Sequence, residues 1–196
     1  MIEIREEPIA RLAEHARISI AFTVDRVLDA TVLDGGLGGI VLTERTLASS
    51  YTKDYDAIAG QGAATWAERF DVSRWGLLAA YDDDARIGGA VVAFDTPGVQ
   101  MLDERRDLAV LWDLRVDPAW RARGVGRRLF DAAERWAAER DCTALEIETQ
   151  NVNVAACRFY RAMGCTLAAI DRLAYPSLPH ETQLIWRKAI RPGRSP

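Results

Sequence analysis

The sequence predicts an α/β (α+β) fold: helices layered on a mixed sheet. Three observations carry that prediction. Trp75–Tyr81, Arg86–Phe94, Leu108–Val116 and Ala144–Thr149 are apolar, β-branched runs of strand length. Gly126–Arg140 and Asn153–Met163 carry helical spacing and alternate with strands. No internal repeat or low-complexity block breaks the pattern.

In chain order, Ile18–Leu28 and Gly39–Leu47 predict strands from partial alternation, with Asp34-Gly35-Gly36 as a turn between them. Ala63–Phe70 predicts a short helix. Trp75–Tyr81 and Arg86–Phe94 form a hairpin across Asp82-Asp83-Asp84. Val99–Asp107 is a short helix or loop, and Leu108–Val116 is a strand ended by Asp117-Pro118. In Gly126–Arg140, Leu129, Phe130, Ala133, Trp136 and Ala137 recur at i, i+3, i+4, i+7, i+8, the stripe of a helix packed on a core. Asn153–Met163 stops at Gly164, a residue suited to the left-handed turn after a helix. Thr166–Ala174 and Thr182–Trp186 close the sequence of strands. Residues 1–190 predict one domain, and 191–196, rich in Pro, Gly and Ser, a flexible tail.

The chain has 196 residues, 49% hydrophobic and 28% charged, a balance that excludes a disordered tail, a fibre or a disulfide-rich miniprotein. No apolar run approaches the roughly 20 residues of a membrane span. The acidic start Met1–Glu7 is unlike a signal peptide, so a cytoplasmic protein is expected. A formal net charge of −4 argues against nucleic acid as a partner and suits a cationic small molecule. Cys142, Cys157 and Cys165 are odd in number and lack metal-ligand spacing. Each is expected to be a small buried apolar residue, and no metal site is expected.

The most informative stretch joins the Leu108–Val116 strand to the Gly126–Arg140 helix: Arg121-Ala122-Arg123-Gly124-Val125-Gly126, then Arg127 and Arg128. Its glycines let the backbone approach a ligand, and the free N–H groups and positive dipole end of the following helix suit a pyrophosphate. No Lys-Ser or Lys-Thr follows, which excludes a Walker A loop. Leu129 stands where a dinucleotide fingerprint would place its third glycine.

This R-x-x-G-x-G stretch resembles the signature of the GNAT superfamily of acetyl-CoA-dependent N-acetyltransferases. The order strand, signature, helix, strand, Asn-x-x-Ala-x-x-x-Tyr helix, strand does too, here with Asn153, Ala156 and Tyr160. A narrower resemblance is to streptothricin acetyltransferases. It lies in Leu145–Asn153 with Ala156-Cys157-Arg158-Phe159-Tyr160, and in Ile170–Pro176. Trp112 stands where their strand has an acid, and Arg172 where they have Thr.

The resemblance implies a mostly antiparallel central sheet flanked by helices, splayed where acetyl-CoA binds. It implies that Leu114, Arg115 and Val116 lie along the pantetheine arm. Arg121, Ala122, Arg123, Gly124, Val125, Gly126 and Arg127 would surround the pyrophosphate, with Asn153 and Ala156 beside the cofactor. The implied reaction is direct attack of an amine on the thioester, which needs a base for the ammonium proton and a donor for the leaving thiolate. Tyr160 is the candidate donor and Glu148 the candidate base. Asp113 is the alternative base, although an ion pair with Arg115 on the same strand face would also account for it. Asn153 could equally be a helix N-cap. His15 and His180 fall in no motif and are expected at the surface.

Tyr51, Asp54, Tyr55, Trp112 and Tyr175 are candidate walls for a cationic acceptor, since aromatic faces and carboxylates suit a cation. The acceptor expected is a small primary amine such as streptothricin. A protein or peptide N-acetyltransferase and a non-catalytic acetyl-CoA sensor are the alternatives. Members of this superfamily often pair, so a homodimer is also expected.

Overall fold

The computed structural model describes residues 1–190; the expected tail over 191–196 lies outside the described residues. The chain divides into two compact units, each discontinuous in sequence. The first is built from Met1–Ile20, Asp54–Ile147 and residues 188–190. The second is built from Ala21–Lys53 and Glu148–Arg187.

In the first unit, β1 (Ile2–Glu7), β4 (Gly76–Asp82), β5 (Ala85–Phe94), β6 (Leu108–Val116) and β7, which starts at Ala144 and runs to Gln150, lie in that order. β1–β4, β4–β5 and β5–β6 are antiparallel, and β6–β7 is parallel. Strand β1 is absent from the sequence-based expectation. It has only Ile2 and Ile4 in alternation and gains its place by pairing with Leu77 to Asp82 of β4. Helix α1 (Leu12–His15) buries Leu12 and His15, three residues apart and so on one face. Helix α2 (Trp66–Arg69) continues a tight turn at Ala63–Thr65, close to the predicted short helix.

Helix α3 (Val125–Ala138) buries Leu129, Phe130, Ala133, Trp136 and Ala137, the predicted stripe. The other cluster in this unit is aromatic. Trp66, Trp75 and Phe70 surround Trp112 with ring centroids 6.2, 5.3 and 5.3 Å from it, and Leu12, Leu77, Val91, Val99, Leu102 and Val110 fill the space around them. Trp112 thus has a packing role of its own.

The second unit carries a ribbon of β2 (Phe22–Val32) and β3 (Ile40–Lys53), helix α4 (Val154–Ala162), and the antiparallel pair β8 (Thr166–Asp171) and β9, which starts at Gln183 and runs to Ala189. Both ribbon strands end later than expected, and the first also starts later, at Phe22. Ile18 is not in the first of them, because its N–H closes a turn on the His15 carbonyl. β8 ends three residues early, where the Asp171 carboxylate accepts the Leu173 N–H and turns the chain. Asn151, fully engaged and buried, laces this unit together. Its Nδ2 donates to the Leu28 carbonyl at 3.0 Å, and its Oδ1 accepts the Thr182 N–H at 2.8 Å.

Candidate active site

β6 positions the first group of site residues. Its register against β5 pairs Leu111 with Val92 and Asp113 with Val91, so Trp112 is the extra residue of a β-bulge. Its parallel ladder with β7 joins only Leu108, Ala109 and Val110 to Ala144, Leu145 and Glu146. β6 then runs on to Val116, keeping its antiparallel partner β5 alone. A bulge bends and twists a strand, and this one lies two residues past the end of the parallel ladder. Leu114, Arg115 and Val116 lie on this stretch.

Beyond Val116, Asp117 caps a turn by accepting the Ala119 N–H at 2.9 Å. The loop then runs through Ala122 and Gly124, both with positive φ (60° and 83°). Gly124 leads straight into α3. A Cβ added at Gly124 would meet nothing within 4 Å, so glycine serves the backbone conformation there and leaves open space over the helix start. No side chain caps α3 and no acid stands in its first turn. Arg121, Arg123 and Arg127 are exposed. Arg121 is held by its Nε donating to the Val116 carbonyl at 3.1 Å, and the Arg123 guanidinium lies 5.3 Å from the Trp120 ring centroid. The first-turn N–H groups of Val125, Gly126 and Arg127 stand at the positive end of α3, in a segment that carries Arg121, Arg123 and Arg127, a combination chemically suited to an anion.

Asp113 sits elsewhere in chemical terms. Arg115 donates to both of its oxygens, Nε to Oδ1 at 2.9 Å and Nη2 to Oδ2 at 2.5 Å, and His15 Nε2 lies 2.9 Å from Oδ1. Burial pushes the Asp113 carboxyl up, but the bonds and charges of Arg115 and His15 outweigh it and hold it well below the usual aspartate range. The same-face ion pair with Arg115 is therefore present. His15 corrects the sequence expectation: it is completely buried rather than at the surface. Its ring packs against Gly89, where an added Cβ would come within 2.4 Å of Nδ1. Asp56, not singled out from the sequence, accepts Arg115 Nη1 at 2.7 Å. Asp54 and Tyr55 stand beside it and are half-buried.

In the second unit, Glu148 is half-buried and, among the described residues, accepts from neutral donors only. Its Oε1 accepts the Tyr175 hydroxyl at 2.6 Å and Gln150 Nε2 at 3.1 Å, and its Oε2 accepts Gln183 Nε2 at 2.7 Å. Burial first, and the Glu148 charge second, push the Tyr175 phenol far above its ordinary value, so Tyr175 remains a donor. Asn153 is the N-cap of α4, its Oδ1 accepting the Ala156 N–H at 3.1 Å. Tyr160 is buried on α4, its ring 5.2 Å from that of Phe159 in an edge arrangement. Tyr51, on β3, is 45% exposed. Gln150 and Gln183 are the residues of this unit's site missed from the sequence; Gln150 stood two positions from Glu148, but nothing local marked Gln183.

A profile of the acetyltransferase (GNAT) family matches residues 44–165, well over half of the chain. The chain belongs to that family. It is 32% identical over 109 residues to a streptothricin acetyltransferase of Escherichia coli, covering 54% of this chain and 63% of that one. To streptothricin acetyltransferase A of Bacillus subtilis (strain 168) it is 34% identical over 80 residues, covering 40% and 46%. The matched chain thus spans less than two thirds of each of these relatives. Among solved structures, a putative streptothricin acetyltransferase of Bacillus anthracis, in complex with acetyl coenzyme A, is similar with a TM-score of 0.74 and 26% identity, over 96% of this chain and 99% of that one. The mixed α/β fold with a mostly antiparallel sheet flanked by helices is the GNAT fold. Within the GNAT match fall the bulged strand, the arginine–glycine loop, Glu148 and Tyr160. No described helix is long and apolar enough to cross a membrane, and the described residues hold no cluster of His, Cys, Asp and Glu fit for a metal.

Proposed function

We propose that the protein is an acetyl-CoA-dependent N-acetyltransferase that acetylates a primary amine of a small cationic acceptor, of the streptothricin type, by direct attack. The observation that carries this is the arginine–glycine loop at an uncapped helix start, directly after a strand that bulges and leaves its parallel neighbour. Acetyl-CoA, as cosubstrate, supplies the acyl thioester. The first-turn N–H groups of α3, with Arg121, Arg123 and Arg127, bind its pyrophosphate. The backbone of Leu114, Arg115 and Val116 hydrogen-bonds the pantetheine arm, and an N–H near Leu114 polarises the carbonyl. Asn153 and Ala156 act beside the cofactor through the capped start of α4.

Glu148 takes the proton of the acceptor ammonium, directly or through water, and leaves an amine with a lone pair to attack. Tyr175, Gln150 and Gln183 fix its rotamer, and since an ionised carboxylate has about four acceptor sites, one remains on Oε2. Tyr160 protonates the leaving thiolate. Asp113 is the poorer base, because protonating it would break its buried ion pair with Arg115. Asp54, Tyr55, Tyr51, Trp112 and Tyr175 stay as candidate acceptor contacts. We take residues 1–190 as one catalytic domain, working in the cytoplasm as a homodimer; sedimentation velocity reads the oligomeric state.

The test is thiol release from acetyl-CoA against streptothricin, polyamines, aminoglycosides and peptide N-termini, with acetyl-CoA binding measured alongside by calorimetry. Turnover of streptothricin above the other amines is the expected result. Preferred turnover of a peptide N-terminus would replace the acceptor. Acetyl-CoA binding with no turnover of any amine would point to a sensor.

A further inference from the structure

Arg115 does more than pair with Asp113. Its Nη1 donates to the Ile18 carbonyl at 3.0 Å and to Asp56 Oδ2 at 2.7 Å, so a single guanidinium ties β6, the turn after α1 and the segment that follows β3. The guanidinium is almost wholly buried, whereas the Asp56 side chain is 27% exposed, so the network runs from the interior out to this loop. The Asp54–Gly62 loop has no regular structure of its own. Its far end is pinned: the Gln61 carbonyl accepts Trp66 Nε1 at 3.0 Å, and the Gly60 carbonyl accepts Arg69 Nη1 at 2.9 Å. Its near end is held by Arg115 through Asp56. From there an Asx turn follows, with Asp54 Oδ1 accepting the Asp56 N–H at 3.0 Å, and Ile58 N–H bonds to the Tyr55 carbonyl at 3.1 Å.

We propose that Arg115 is a positioning residue for the acceptor: through Asp56 it fixes the loop that presents Asp54 and Tyr55, a carboxylate and an aromatic face suited to a cationic amine. This rests on the acetyl-transfer reading above. The loop bond is charged and partly buried, so it orders two residues that would otherwise lose conformational entropy on binding. Its contribution falls on acceptor affinity and not on the acetyl group, since Asp56 has no part in the thioester chemistry.

The experiment compares wild type with Asp56→Asn and Asp56→Glu, using streptothricin and acetyl-CoA. Asp95→Asn, which removes the shared partner of the exposed Arg74 and Arg106 in the same unit, is the control for a lost charge. Two readouts are taken: steady-state constants, and amide hydrogen exchange at Ile58 and Gln61. In Asp56→Asn, the KM for streptothricin should rise about tenfold, while kcat and the KM for acetyl-CoA stay within about twofold, and both amides should exchange faster. Asp56→Glu should recover most of the affinity, and Asp95→Asn should behave as wild type. Unchanged exchange in Asp56→Asn overturns the clamp. Faster exchange with an unchanged KM for streptothricin overturns the link to the acceptor. A wild type that turns over no streptothricin counts against the proposed acceptor instead, and the exchange readout still decides the clamp.

Discussion

Glu148 and Asp113 show how surroundings divide two carboxylates that look alike in the sequence. Each stands in a strand and each accepts three hydrogen bonds. Glu148 receives them from a phenol and two amides, Asp113 from a guanidinium and an imidazole. Taking up a proton costs Asp113 its buried ion pair and costs Glu148 only neutral bonds. Asp113→Asn should therefore lower stability by about 3 kcal/mol in chemical denaturation, the scale of a broken buried pair. Glu148→Gln should leave the denaturation midpoint almost unchanged while lowering kcat at least about 100-fold. Because the folded Asp113 ionises below the usual aspartate range, its stabilisation is complete above about pH 4 and is lost as the pH falls below that. A thermal unfolding series from pH 7 to pH 2 should show a steeper acid loss in wild type than in Asp113→Asn. The Asp113–Arg115 pair was legible as i and i+2 on one strand. His15 and Asp56 were not, since they stand 98 and 59 positions from their partners and only the folded chain brings them in.

Elements whose partners lie close in sequence were the legible ones. β6 was predicted with its observed bounds, and α3 within a residue or two, because each carries its own pattern and stop signal. β1 was not, since two alternating isoleucines among charges acquire strand character only against β4. The bulge at Trp112 was not legible either. A bulge is a relation between two strands, and one strand's sequence does not announce it. The turn before α3 sets a further expectation. Gly124→Ala meets no neighbouring atom but must hold φ near 83°, so it should cost about 1–2 kcal/mol of stability and weaken acetyl-CoA binding. Calorimetry reads the second effect; full affinity in this variant would remove the loop from the cofactor site. Asn153→Ala should cost about 1 kcal/mol through loss of the α4 cap.

At the scale of the whole molecule, the three cysteines join no disulfide and all lie buried. Burial first, then the Asp107 charge, pushes the Cys142 thiol up to about 11; burial also raises Cys157, against the opposing effect of Thr149. Native protein at pH 8 should therefore react negligibly with Ellman's reagent over minutes and release three equivalents once denatured. The division into two compact units was not visible from composition, because each unit is assembled from separated stretches of chain and no linker marks a boundary.

The proposed reaction moves an acetyl group from acetyl-CoA to a streptothricin-type amine, with Glu148 as base and Tyr160 as acid. Its most direct test is the mass of streptothricin after incubation with acetyl-CoA and wild type, Glu148→Gln or Tyr160→Phe. One added acetyl group is expected with wild type, and initial rates at least about 100-fold lower with either variant. Unmodified streptothricin with an acetyl-CoA-binding wild type, or full rates in both variants, would contradict it.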